Sequence, residues 1–169
     1  MTASDALATP LSRVGLVNLL ARVVVGGLYV LMGLNKALHP VEFLKLTRQY
    51  DLVDTPLALN VIAAALPWFE VFCGLLLLGG IGVRGAALVS LGMLIPFTVV
   101  VANRALAIQA ATSLPFCAVR FDCGCGAGEV LICHKLIENG LLVLLSAWLV
   151  FVRHPRWCLR YDAVPRVSG

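Results

Sequence analysis

Four stretches of this chain, at about 14–38, 57–80, 85–107 and 132–152, are too long and too apolar for an ordinary water-soluble fold. A bilayer core is crossed by roughly 20 predominantly apolar residues in a helix, and each stretch reaches that length. Inside lipid the backbone has to satisfy its own N–H and C=O groups, so stretches of this length read as helices. Composition agrees: 60 % of the residues are hydrophobic and 13 % charged, against about 25 % charged in soluble domains. Nothing in the 169 residues reads as a linker or a low-complexity segment, so 1–169 reads as one domain. The expected fold class is an all-α membrane protein, a four-transmembrane-helix antiparallel bundle.

The first stretch has no small-x-small cleavage site followed by a polar mature sequence, and three more spans follow it. It reads as a span and not as a signal peptide. Pro67 and Pro96 fall inside the second and third spans, where neighbouring helices satisfy the carbonyls they free. An even number of spans puts both ends on one side. Four arginines (Arg153, Arg156, Arg160 and Arg166) crowd the tail 153–169, and an excess of Lys and Arg marks the cytoplasmic face. The expected location is therefore the cytoplasmic (inner) membrane, with cytoplasmic termini and outward-facing first and third loops. The net charge of +4 then belongs to topology and anionic lipid, and no nucleic-acid partner is expected. In the first loop Pro40 can open a helix. Phe43, Leu44, Leu46 and Tyr50 stand among Glu42, Lys45, Arg48 and Gln49, which predicts a short amphipathic helix over 41–50 lying at the interface. His39 and His154, next to prolines at membrane edges, read as interfacial.

Four of the six cysteines lie in the third loop, Cys117-Ala-Val-Arg-Phe-Asp-Cys123-Gly-Cys125-Gly-Ala-Gly-Glu-Val-Leu-Ile-Cys133-His134. Thiols at such spacing suit disulfide exchange or metal binding, and disulfides persist in oxidising compartments such as the periplasm. In exchange, a thiolate attacks a disulfide and a neighbouring cysteine resolves the mixed disulfide. A Cys123–Cys125 bridge closes a very small ring, expected to be strained and readily reduced. Gly124 and Gly126 relieve part of that strain, Arg120 favours a nearby thiolate and Asp122 opposes it. Cys117 and Cys133 allow a second pair, with His134 and Lys135 beside Cys133 to support its thiolate.

In one arrangement Cys123–Cys125 exchanges with a soluble partner, and Cys117–Cys133 passes electrons to or from a site in the bundle. That layout is similar to the quinone-linked disulfide-forming enzymes and admits a quinone as cofactor. Spacing alone leaves the pairing open, because six cysteines permit many connectivities. Cys73, in mid-span, and Cys158, in the tail, read as inert. Two other readings stand beside exchange. Cys117, Cys123, Cys125, Cys133 and His134 could bind a soft metal, although Cys-x-Cys departs from the usual zinc-knuckle spacing. The loop disulfides could also simply lock a non-catalytic scaffold.

Arg22 and Glu70 lie inside the first and second spans. An ionisable group at such depth costs about 2.5–3.5 kcal/mol and usually pairs or faces the bundle interior. Arg22 follows Arg13 by nine residues and Glu70 precedes Gly79 by nine, so counting from the span ends predicts a buried Arg22–Glu70 ion pair. A proton or quinone site built on Glu70 is the functional alternative. Asn35, Glu138 and Asn139 are expected to hydrogen-bond between helices.

Several of these residues form a pattern: Leu20-Ala-Arg22, Leu66-Pro-Trp-Phe-Glu70, Gly74-Leu-Leu-Leu-Leu, Cys123-Gly-Cys125-Gly and Lys135-Leu-Ile-Glu-Asn139. The pattern resembles the MauE/DoxX membrane proteins, most closely the redox-associated MauE branch, over about Leu16 to Val152. Where that family usually continues with Phe-Gly, this chain has Gly126-Ala127-Gly128, and Cys117 and Cys133 stand outside the pattern. The resemblance implies a four-helix membrane protein working with thioredoxin-like periplasmic partners. In methylamine systems such a protein supports maturation of an exported, disulfide-containing dehydrogenase subunit.

Overall fold

The computed structural model describes residues 13–50, 55–124 and 128–151. Cys125, Cys158, His154 and the arginine-rich tail lie outside them. Among the described residues four helices are long and apolar enough to cross a membrane: α1 (Arg13–Leu38), α3 (Pro56–Gly79), α4 (Val83–Thr112) and α5 (Ile132–Phe151). The short α2 (Pro40–Arg48) follows α1. Many large apolar side chains point outward, among them Leu31, Phe72 and Leu144. A helix that is apolar all round is suited to lipid on one side and protein on the other.

The bundle is built from two tightly packed pairs, α1 with α3 and α4 with α5. The first pair closes on glycine. A Cβ placed on Gly74 would stand 2.7 Å from the carbonyl oxygen of Gly26, and one on Gly26 would stand 2.8 Å from that of Gly74. Small residues let membrane helices approach until their backbones touch, which is how helices associate where lipid removes the usual hydrophobic drive. Between α1 and α4, Tyr29 donates its hydroxyl to the Ser90 carbonyl at 2.8 Å. Between α4 and α5, Asn139 donates to Thr98 Oγ1 at 3.1 Å, and Thr98 in turn donates to the Leu94 carbonyl.

The glycine contacts also set the register, and that register corrects one expectation. Gly26 lies beside Gly74 and Gly33 beside Pro67, so Glu70 stands level with about Val30. That is about eight residues, or ~12 Å along the helix axis, from Arg22. The expected Arg22–Glu70 pair does not form. Glu70 instead receives Lys36 Nζ on both carboxylate oxygens, at 2.6 and 2.8 Å. Side chains on a helix lean towards its N-terminus, and in this antiparallel pair Lys36 and Glu70 therefore lean towards each other. Arg22 meets the far end of α3, donating from Nε to the Leu77 carbonyl (2.9 Å) and from a terminal nitrogen to the Leu78 carbonyl (3.2 Å). These carbonyls belong to the last turn of α3, where the usual intrahelical donors run out; the Leu77 carbonyl also accepts the Gly80 N–H at 3.2 Å. Counting depth from span ends failed because α1 starts well before the level at which α3 stops.

Two further departures lie at the cysteine end. The third span does not stop near 107; α4 runs 30 residues to Thr112, ~45 Å against a bilayer core of about 30 Å, and ends where Ser113 turns left-handed (φ 54°). The cysteine loop is also partly strand. β1 (Arg120–Asp122) pairs antiparallel with β2 (Glu129–Leu131), with Phe121 opposite Val130.

Candidate functional site

The segment after α4 folds back on the bundle in one continuous path. A 3₁₀ turn at Phe116–Ala118 is followed by Val119, which is fully buried, and its carbonyl accepts the Ile132 N–H at 3.1 Å. Val101, Ala105, Val119, Cys123 and Ile132 form an apolar cluster that seats the hairpin on α4 and α5. Cys117 and Cys133 are joined in a disulfide, with Cα atoms 5.0 Å apart. It fastens the 3₁₀ turn to the first turn of α5. Cys117 is exposed and Cys133 half-buried.

Cys123 is also disulfide-bonded, and the proposed partner Cys125 lies outside the described residues. Cys123 itself is only 1 % exposed. Just beyond it Gly124 takes φ +76°, a left-handed conformation that glycine adopts without steric cost, and donates its N–H to Asp122 Oδ1 at 2.9 Å. A Cβ at Gly124 would reach Phe43 and Leu46 at 3.7 Å. The amphipathic α2 therefore covers the hairpin with Phe43 and Leu46, a role beyond the interfacial one its sequence implied.

Tyr50, just past α2, ties the same place from another side by donating its hydroxyl to the Cys123 carbonyl at 3.1 Å. Burial, and then the negative charge of Asp122, push this phenol up to about 12, with Arg104 acting in the opposite direction. The consequence for pH follows in sign. Below about pH 10 the phenol is protonated in both folded and unfolded chains, and its contribution to stability is complete. As pH rises to about 12 the unfolded chain gives up the proton first, and the contribution is lost. Tyr50→Phe should lower stability by about 1 kcal/mol at neutral pH and should flatten this alkaline decline, both readable from unfolding in detergent at stepped pH.

Between the hairpin and α2 a groove of about 280 Å³ opens, lined by polar groups that include His39, Glu42 and Asp122. Lys36 lines its floor and also the roof of a smaller chamber deeper in the bundle, of about 50 Å³. That chamber is bordered by Tyr29, Lys36, Glu70, Phe97, Lys135 and Asn139. Lys36 Nζ sits 5.4 Å from the Phe43 ring centroid and 5.6 Å from that of Phe97, within cation–π range. Lys135 is 2 % exposed, and its ammonium is held by Glu138 at 3.1 Å.

Glu70 and Asn139 thus share one chamber, whereas Arg22 stands apart at the other end of α3. Lys36 was missed because it stands in the last turn of the first apolar stretch, where a cation is ordinary. Its signal was a cation one short turn from the end of an apolar run. His134 is exposed beside Cys133, and Cys73 is free and buried within α3.

The chamber tests the quinone reading. An engineered cavity that takes up a benzene ring measures about 150 Å³; at about 50 Å³ the chamber has room for a few waters and gives the quinone reading no support. The soft-metal reading meets a different obstacle. Cys117 and Cys133 are bonded to each other and Cys123 is in a disulfide, so in this state none of the three offers a thiolate.

Comparison with curated proteins and with solved structures finds no match. A family model does match, that of methylamine utilisation protein MauE, over residues 14–152. The match takes in all four membrane helices and the cysteine hairpin, and the chain therefore belongs to the MauE family.

Proposed function

We propose that this membrane protein exchanges thiols and disulfides with exported partners through the cysteines at the head of its bundle. The observation that supports this most is the Cys117–Cys133 disulfide, one sulfur-bearing residue exposed at the surface, on a hairpin that holds a second disulfide-bonded cysteine. Membership of the MauE family associates the chain with methylamine utilisation. Its partner on this reading is a thioredoxin-like periplasmic protein or an exported protein that needs its disulfides completed. The cysteine end then faces the oxidising side of the cytoplasmic membrane, and the termini face the cytoplasm, as the arginine-rich tail favours.

A second reading has its own support. Cys123 is buried, and the Cys117–Cys133 bond closes a loop of 16 residues, which on chain entropy contributes about 3 kcal/mol. Such bonds suit a scaffold that only holds the partner. The combined Cys117→Ser, Cys123→Ser, Cys125→Ser and Cys133→Ser variant separates the two. The exchanger loses all oxidation or reduction of a dithiol partner while remaining inserted in the membrane. Full partner maturation by the inserted variant would establish the scaffold instead.

A further inference from the structure

The outer cysteines differ sharply in what surrounds them. Cys117 is exposed on the 3₁₀ turn beside exposed Leu114 and Pro115. Cys133 is half-buried at the second residue of the 20-residue α5. Backbone N–H groups there have no intrahelical partner, and the positive end of the helix dipole favours a thiolate. Cys123 is enclosed by the cluster of Val101, Ala105, Val119 and Ile132, with Tyr50 held to its carbonyl.

Resting on the exchange function above, we propose that Cys117–Cys133 is the bond that meets the partner, with Cys117 Sγ the atom attacked and Cys133 the leaving and resolving thiolate. Exchange proceeds at the accessible sulfur and expels the better-stabilised thiolate. A partner thiolate bonds to Cys117 Sγ, the S–S bond breaks, and its electron pair stays on Cys133 Sγ at the head of α5. The partner's second thiol then loses its proton and attacks the partner sulfur of the mixed disulfide, releasing Cys117. Two electrons and two protons have passed from the partner dithiol to Cys117 and Cys133. In reverse, Cys117 attacks a partner disulfide and Cys133 resolves the adduct, so the partner's own potential sets the direction.

The test uses the full chain, reduced, in lipid nanodiscs, with a thioredoxin-fold protein carrying Cys-x-x-Ser as probe, its one cysteine activated as a mixed disulfide with a small aromatic thiol so that no second probe thiol can release the adduct. Cys133→Ser should leave Cys117 able to attack and unable to be resolved, accumulating a reducible adduct mapped to Cys117. Cys117→Ser should yield at least roughly tenfold less adduct, because Cys133 is less accessible. In the unaltered protein, limited phosphine reduction followed by alkylation should label Cys117 before Cys123, a result that needs no variant to fold. Equal adduct at Cys133 in Cys117→Ser, or labelling of Cys123 first, overturns the assignment. Trapping only in Cys123 or Cys125 variants overturns it too, yet leaves exchange as the function. No adduct from any cysteine variant, with no exchange by the unaltered protein, overturns both.

Discussion

Glu70→Ala should destabilise the bundle by about 3 kcal/mol, towards the low end of the roughly 3–5 kcal/mol seen when one partner of a buried ion pair is removed. The loss arises from Lys36 more than from the missing carboxylate. Its ammonium is held by two short contacts to Glu70 and is otherwise surrounded by Phe43 and Phe97. Without the carboxylate the charge stays in an apolar setting, or the lysine has to swing up into the polar groove whose floor it already lines. That escape route keeps the figure low. Replacing both residues by apolar ones of similar volume (Lys36→Met with Glu70→Leu) should recover most of the loss, since a buried pair is often no better than good packing. Unfolding in detergent, compared across the two single variants and the double one, checks this. A double variant as unstable as Glu70→Ala would mean that the chamber needs its charges for folding and that the pairing account is wrong.

Gly74→Val should separate α1 from α3. The added Cβ meets the Gly26 carbonyl at 2.7 Å and the Val30 backbone nitrogen at 2.9 Å, and neither is a flexible side-chain end. Overpacking of this kind costs about 1–3 kcal/mol where side chains can yield, and here two backbones have to part. We expect the upper end of that range or beyond, together with loss of the Lys36–Glu70 and Arg22–Leu77 contacts that depend on the same register. Gly27→Ala and Gly92→Ala are the controls. Nothing lies within 4 Å of a Cβ at either site, and alanine is the better helix former by roughly 1 kcal/mol, so both should be neutral or stabilising. A Gly74→Val protein that unfolds like Gly27→Ala would show that the glycine contact does not hold the pair together.

The spans were legible because length and apolarity alone decide them; each of the four stretches needs no partner to be recognised. The hairpin was less visible. Arg120-Phe-Asp and Glu129-Val-Leu are only three residues each, too short for alternation to stand out, and the glycines between them drew attention to the thiols instead. Charge pairing failed for a geometric reason. A chain shows how far Arg22 and Glu70 lie from the ends of their own spans, but the level at which two helices meet is set by Gly26 on Gly74, a contact that no single-span count contains. The Cys117–Cys133 pair was one of the arrangements open in the sequence and it forms; what spacing does not reveal is that the turn after α4 brings Cys117 to the head of α5.

The guanidinium of Arg22 on the last turn of α3 bears on how the chain is made. An arginine inside a lone span is costly, and two of the carbonyls that accept its hydrogen bonds are 55 and 56 residues further on. While only the first span has emerged from the ribosome, the hydrogen bonds that α3 will accept from it have to be met by water or lipid headgroups. Once residue 78 is in the bilayer, the liability becomes a clasp. The second span then completes the insertion of the first, and the two helices settle into lipid as one hairpin.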